Sequence, residues 1–124
     1  MPEKDLRILV VDDFATMRRM IKNILKQLGY THIEEADNGQ AAWSLLETRE
    51  IDLVISDWNM PTMTGLELLK AVRSDERFKD LPFIMVTAEG QQENVIEAAQ
   101  NKVSQYVVKP FNADTIAGKI ESVI

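Results

Sequence analysis

A doubly wound α/β domain, a parallel five-stranded sheet covered by helices on both faces, is the fold this sequence predicts. Three observations predict it. Short apolar, β-branched runs recur along the chain, as strands buried on both faces require. Amphipathic stretches with apolar residues at i, i+3 and i+4 alternate with them. The connections are short, and alternation of that kind builds right-handed strand–helix–strand units.

Leu6 to Val11 reads as the first strand and ends on Asp12 and Asp13. Met17, Met20, Ile21, Ile24, Leu25 and Leu28 then form one apolar helical face, with Arg18, Arg19, Lys22 and Lys26 as its solvated side. Gly29 stops that helix. Ile33 to Ala36 is a second short strand leading to an Asn38-Gly39 turn, and Ala42, Leu45 and Leu46 mark a second helix. Leu53 to Ser56 is the third strand. It runs straight into Asp57 and a loop closed by Pro61 and Gly65, where a third helix opens with Leu66, Leu69 and Val72 inward. Pro82 precedes a fourth strand, Phe83 to Thr87, and Gln91 to Gln100 reads as a fourth helix. Tyr106 to Val108 is the fifth strand, closed by Lys109-Pro110. Asn112 and Asp114 can cap a last helix carrying Ile116, Ile120 and Val123.

A chain of 124 residues without linker, repeat or low-complexity stretch is expected to be one domain. Fourteen basic against twenty acidic residues leave a net charge of −6 and no basic block, which argues against nucleic acid and anionic membranes as partners. The absence of cysteine removes disulfides and thiol chemistry. Met1 to Leu6 lacks the apolar stretch of a signal peptide, and no run approaches the roughly 20 apolar residues of a membrane span. The expectation is a soluble cytoplasmic domain.

Ligands of open α/β sheets bind beyond the carboxyl ends of the strands. There the first strand offers Asp12 and Asp13, the third Asp57, the fourth Thr87 and the fifth Lys109, while the second offers nothing comparable. Three carboxylates in one crevice repel each other, and a divalent cation is the usual remedy. Mg²⁺ suits the site because it takes hard oxygen ligands and keeps waters. A hydroxyl and an ammonium beside it fit an anion present part of the time, and a phosphoryl group on Asp57 would satisfy them all. Singly, Asp12 and Asp13 read as caps of the first helix and Lys109 as a turn residue before Pro110. The set carries the chemistry. His32 has no triad or zinc partners in the pattern, and no glycine-rich nucleotide loop occurs.

Val10-Val11-Asp12-Asp13-Phe14 with Thr16-Met17-Arg18-Arg19, Ser56-Asp57-Trp58-Asn59-Met60-Pro61, Met85-Val86-Thr87-Ala88-Glu89 and Tyr106-Val107-Val108-Lys109-Pro110-Phe111 follow one another in order. With them the chain, from about Lys4 onward, resembles the two-component receiver domains, and among these the chemotaxis response regulators. The resemblance implies a flavodoxin-like sheet of order 2-1-3-4-5 with no attached output domain. It implies that Asp57 accepts a phosphoryl group from the phosphohistidine of a histidine sensor kinase. It also implies slow self-catalysed hydrolysis of the acyl phosphate, in a switch protein rather than an enzyme. Asp13, Asp57 and the Asn59 carbonyl would bind Mg²⁺, with Asp12 reached through water. Thr87 and Lys109 would contact the phosphoryl group, Thr87 and Tyr106 would form the switch, and Asn59 and Glu89 would tune the lifetime. The Lys109-Pro110 bond would be cis. Gly90, Val95, Ala99, Tyr106 and Lys119 would form the partner face. Its partner would be the flagellar motor switch protein, bound by a monomer that a phosphatase resets.

The chain departs from the family pattern at Asn101-Lys102-Val103-Ser104-Gln105, where glycines are usual, and Asn101 is expected to take a left-handed cap. Other readings are a stand-alone receiver in a different phosphorelay, or a pseudo-receiver binding module that keeps the fold without its chemistry. A phosphohydrolase of the haloacid dehalogenase type would need an acidic residue where Asn59 stands, and a flavin phosphate would be repelled by Asp12 and Asp13.

Overall fold

The computed structural model describes residues 5–58, 60, 62–88, 99–109 and 111–123. Five parallel strands, β1 (Arg7–Val11), β2 (His32–Ala36), β3 (Leu53–Ser56), β4 (Phe83–Thr87) and β5 (Gln105–Val108), form one sheet in the order β2-β1-β3-β4-β5. Helices α1 (Ala15–Gln27), α2 (Gly39–Thr48), α3 (Gly65–Ser74) and a helix over Ala113–Val123 connect or follow them. Residues 99–100 are helical, and the rest of the helix expected at Gln91 to Gln100 lies outside the described residues. No described helix is long and apolar enough to cross a membrane.

The strands' side chains alternate between two cores, as the period of two dictates. Leu9, Val11, Val54, Phe83 and Met85 pack with Leu46 of α2 and Leu68, Leu69 and Val72 of α3. Ile8, Val10, Leu53, Ile55, Ile84 and Val86 pack on the other face with Ile21 and Leu25 of α1 and with Ile116 and Ile120. Every residue of β3 is buried, which explains its apolar run from Leu53 to Ile55, and the buried Ser56 hydroxyl is bonded to the Asp57 carbonyl.

Several elements differ in detail from the sequence reading. Met20 is 45% exposed: Ile21 and Leu25 centre the inward face of α1, and Met20 sits about a quarter-turn off it. Asn38-Gly39 is not a free turn but the start of α2, with the Asn38 side chain accepting from the Ala41 N–H at 2.8 Å. Such a cap stabilises a helix by about 1 kcal/mol. A Thr64–Glu67 capping box starts α3 in the same way. Asn112 caps the Ala113–Val123 helix by accepting from the Thr115 N–H. Asn101 is not the left-handed residue. Lys102, whose N–H bonds back to the Ala99 carbonyl, takes φ 63°. The loop around it is held by Arg73, which donates to the carbonyls of Lys102, Lys79 and Leu81. Ser104 then pairs with both backbone groups of Phe83, which brings β5 alongside β4 without glycines.

Thr62 has φ 69°, a left-handed backbone that strains a β-branched residue by about 1–2 kcal/mol. Because Thr62 is exposed, Thr62→Asn is expected to raise stability by about 1 kcal/mol, read as a higher urea midpoint at unchanged slope.

Candidate functional site

The sheet's register aligns the strand ends. Val11 pairs with Ser56, Ser56 with Met85, and Thr87 with Val108. Each strand's next residue therefore projects from the same edge. The ladder runs one step further there, through Asp57 N–H to the Val11 carbonyl (2.8 Å) and Asp12 N–H to the Ala36 carbonyl (3.1 Å). Asp12 is 1% and Asp57 8% exposed, whereas Asp13 is open to solvent. One carboxylate oxygen from each of the three lies within 4.8 Å of the others.

Lys109 closes the group from the far side of the sheet, its Nζ 3.3 Å from Asp12 Oδ2 and 3.5 Å from Asp57 Oδ1. The Trp58 N–H donates to Asp57 Oδ1 at 2.8 Å, and the Ser56 hydroxyl donates to the Asp57 carbonyl. Burial, and then the charge of Asp12, push the Asp57 carboxyl above the usual carboxylate range, while Lys109 and the Trp58 N–H oppose them. One ammonium does not offset three converging carboxylates. The donor set, all hard oxygen and part solvent-facing, fits Mg²⁺.

Asp12 and Asp13 do not cap α1. The N-cap is Phe14, without a side-chain bond, and Asp12 Oδ1 instead accepts from the Phe14 N–H inside the turn. The cationic side of α1 is not wholly solvated either. Arg18 and Lys22 pair with Glu35 of β2 at 3.2 and 2.8 Å, which holds the Glu35 carboxyl below its usual range. Arg18 also donates to the Asp12 carbonyl at 2.6 Å. The second strand thus reaches the site after all. The sequence carried only the alternation of charge between α1 and β2 as a signal of it. His32, exposed on β2, lies at the other end of the sheet, in a cleft of about 630 Å³ lined also by Arg7, Glu34, Arg49 and Glu50.

Tyr106 of β5 is half-buried and packs edge-on against Trp58, ring centroids 6.3 Å apart. Ala99 is exposed, and Lys119 donates to Gln105 beside Tyr106 at 3.2 Å. Asn59, Glu89, Gly90, Val95 and Pro110 lie outside the described residues, as does the Thr87 side chain, although Thr87 itself ends β4 at this edge. The cis bond, the lifetime-tuning pair and part of the partner face fall with them.

An acidic strand-end cluster facing a lysine, on a parallel sheet of this order, is the arrangement of the receiver class. The model of the response regulator receiver domain matches residues 8–121, and the chain belongs to that family. It is CheY-like over nearly its whole length. It is 54% identical over 118 residues to the chemotaxis protein CheY of Pseudomonas aeruginosa, covering 95% of each chain. It is 49% identical over 120 residues to CheY-3 of Vibrio cholerae, covering 97% of this chain and 92% of that one. Its fold superposes on the solved CheY4 of Vibrio cholerae with a TM-score of 0.89 at 35% identity, over 97% of this chain and 99% of the other.

Proposed function

We propose that this CheY-like domain is a cytoplasmic, monomeric switch. In this reading Asp57 takes a phosphoryl group from the phosphohistidine of a sensor kinase, and the phosphorylated form binds the flagellar motor switch. The observation that carries the proposal is the convergence of Asp12, Asp13 and Asp57 within 4.8 Å, with Lys109 3.5 Å from Asp57. In transfer, an Asp57 carboxylate oxygen forms the O–P bond as the P–N bond of the phosphohistidine breaks. The leaving imidazole takes up a proton. Asp57 Oδ1 is already engaged by Lys109 and the Trp58 N–H, and Oδ2 has no hydrogen bond among the described residues.

Asp12, Asp13, Asp57 and the Asn59 carbonyl would hold Mg²⁺, which when bound supplies positive charge to the phosphoryl oxygens and offsets the carboxylates. Lys109 and the Thr87 hydroxyl would hold the transferred group by charge-assisted bonds. Asn59 and Glu89 would set how long the acyl phosphate resists water, and a phosphatase would shorten that time further. Movement of Thr87 towards the phosphoryl group would admit Tyr106 inward. It would thereby bias the face made by Gly90, Val95, Ala99, Tyr106 and Lys119 towards its partner. The packing of Tyr106 on Trp58, next to Asp57, supports that linkage. The chemotaxis names of the relatives support the motor as the target.

Incubation with acetyl phosphate should add one phosphoryl mass to the intact protein when Mg²⁺ is present and little or none when it is chelated. No gain in either condition would leave a pseudo-receiver that binds partners without phosphorylation.

A further inference from the structure

Asp13 makes no hydrogen bond or ion pair among the described residues, so its backbone alone sets where its side chain starts and which rotamers reach the cluster. That backbone is fixed through Asp12, which is held at all four of its polar points. Its N–H donates to the Ala36 carbonyl, Oδ1 accepts from the Phe14 N–H, Oδ2 faces Lys109, and its carbonyl accepts from Arg18 at 2.6 Å. The last bond fixes the plane of the peptide that leads into Asp13.

Arg18 does not stand there unaided. Its Nε donates to Glu35 Oε1 at 3.2 Å, while the other Glu35 oxygen is taken by Lys22 at 2.8 Å. The Arg18 side chain is 20% exposed, that of Lys22 28% and that of Glu35 37%, so the two ion pairs lie partly open to water and salt, and the bond to the Asp12 carbonyl is the more sheltered one. Only a guanidinium presents two edges at once, one to the carboxylate and one to the carbonyl.

We propose that Arg18 and Glu35 are positioning residues for the carboxylate cluster: Glu35 of β2, braced by Lys22, holds the Arg18 guanidinium on the Asp12 carbonyl and so aims Asp13 into the metal site. This inference rests on the Mg²⁺ site proposed above. Groups that orient metal ligands from behind contribute about 10–100-fold in metal affinity.

Charge and positioning make opposite predictions for one of the two residues. Glu35→Gln removes a negative charge and Arg18→Gln a positive one. A purely electrostatic influence would weaken Mg²⁺ binding in the first and strengthen it in the second. Positioning weakens it in both.

Mg²⁺ titrations followed by tryptophan emission, to which Trp58 beside Asp57 contributes with the distant Trp43 as a constant background, should therefore show about tenfold weaker binding in each variant. Thermal unfolding of the metal-free proteins should show that both remain folded. Opposite shifts in the two variants, or affinities within twofold of the parent, overturn the inference while leaving the metal site in place. A parent protein that gives no Mg²⁺ response removes the site itself, and the inference with it.

Discussion

Gly65→Ala is expected to destabilise the domain by about 3 kcal/mol or more, lowering the unfolding midpoint by about 10 °C, and to impair phosphoryl uptake in what remains folded. A Cβ on Gly65 would lie 2.0 Å from the Asp57 carbonyl oxygen and 2.9 Å from its carbon, with Met85 Sδ at 3.0 Å. The contacts that matter are backbone, which cannot swing aside as a side chain can. Neither side of the clash is free to retreat. Gly65 N–H bonds the Trp58 carbonyl at 2.8 Å, Asp57 N–H bonds Val11, and the Asp57 carbonyl already accepts from Ser56. Relief can come only by pushing Asp57 out of register with Asp12, which couples the stability loss to the chemistry. Gly118→Ala is the control. Beyond the backbone of its own helix nothing lies within 4 Å of a Cβ there, and a helical glycine replaced by alanine should stabilise by about 0.5–1 kcal/mol. Equal behaviour of the two variants would show that helix propensity, not the closeness of α3 to Asp57, governs position 65.

The contrast between these glycines marks where sequence reading reaches and where it stops. Asp12, Asp57 and Lys109 were legible because a parallel sheet converts position along the chain into position at an edge: each follows the last residue of its strand. The two-sided core follows from the same alternation, whereas the strand order came from the resemblance to the receiver family. Gly65 was legible as a helix start. Its contact with Asp57 was not, because a glycine at a helix start reads the same whether it serves a turn or a close approach of two backbones. Asn38 misled for a related reason, since turns and helix caps draw on the same side-chain acceptor. The role of Glu35 was hidden because it depends on Arg18 reaching across from α1 to two partners, Glu35 and the Asp12 carbonyl. The left-handed residue is Lys102 rather than Asn101 because the chain makes one more turn residue after Gln100, with the Lys102 N–H bonded back to the Ala99 carbonyl, before it reverses.

Asp57→Asn should abolish Mg²⁺-dependent labelling by acetyl phosphate altogether, and without Mg²⁺ it should leave the protein more stable than its parent at neutral pH. The first effect follows from removing the nucleophilic oxygen. A retained mass gain would place the acceptor elsewhere, with Asp13 and Asp12 the carboxylates at hand.

The second effect follows from the direction of the Asp57 shift. Its carboxyl is raised in the folded state, by burial first and by Asp12 next, so the native protein binds this proton more tightly than the unfolded chain does. With such a group, stability is fullest at low pH and is lost as pH rises past about 3.9, the unfolded value, and through the folded value. At neutral pH the ionised Asp57 therefore works against the fold, and asparagine of the same shape removes that charge while retaining an acceptor for the Trp58 N–H. Mg²⁺ should reverse the ranking, because a ligand that binds only the native state stabilises the protein that binds it more tightly. Thermal unfolding of both proteins, each with and without Mg²⁺, reads the four states. A metal-free variant less stable than its parent would mean that the 3.5 Å ion pair with Lys109 outweighs burial and the repulsion of Asp12. The resting site would then be held together by its lysine rather than strained in readiness for a cation.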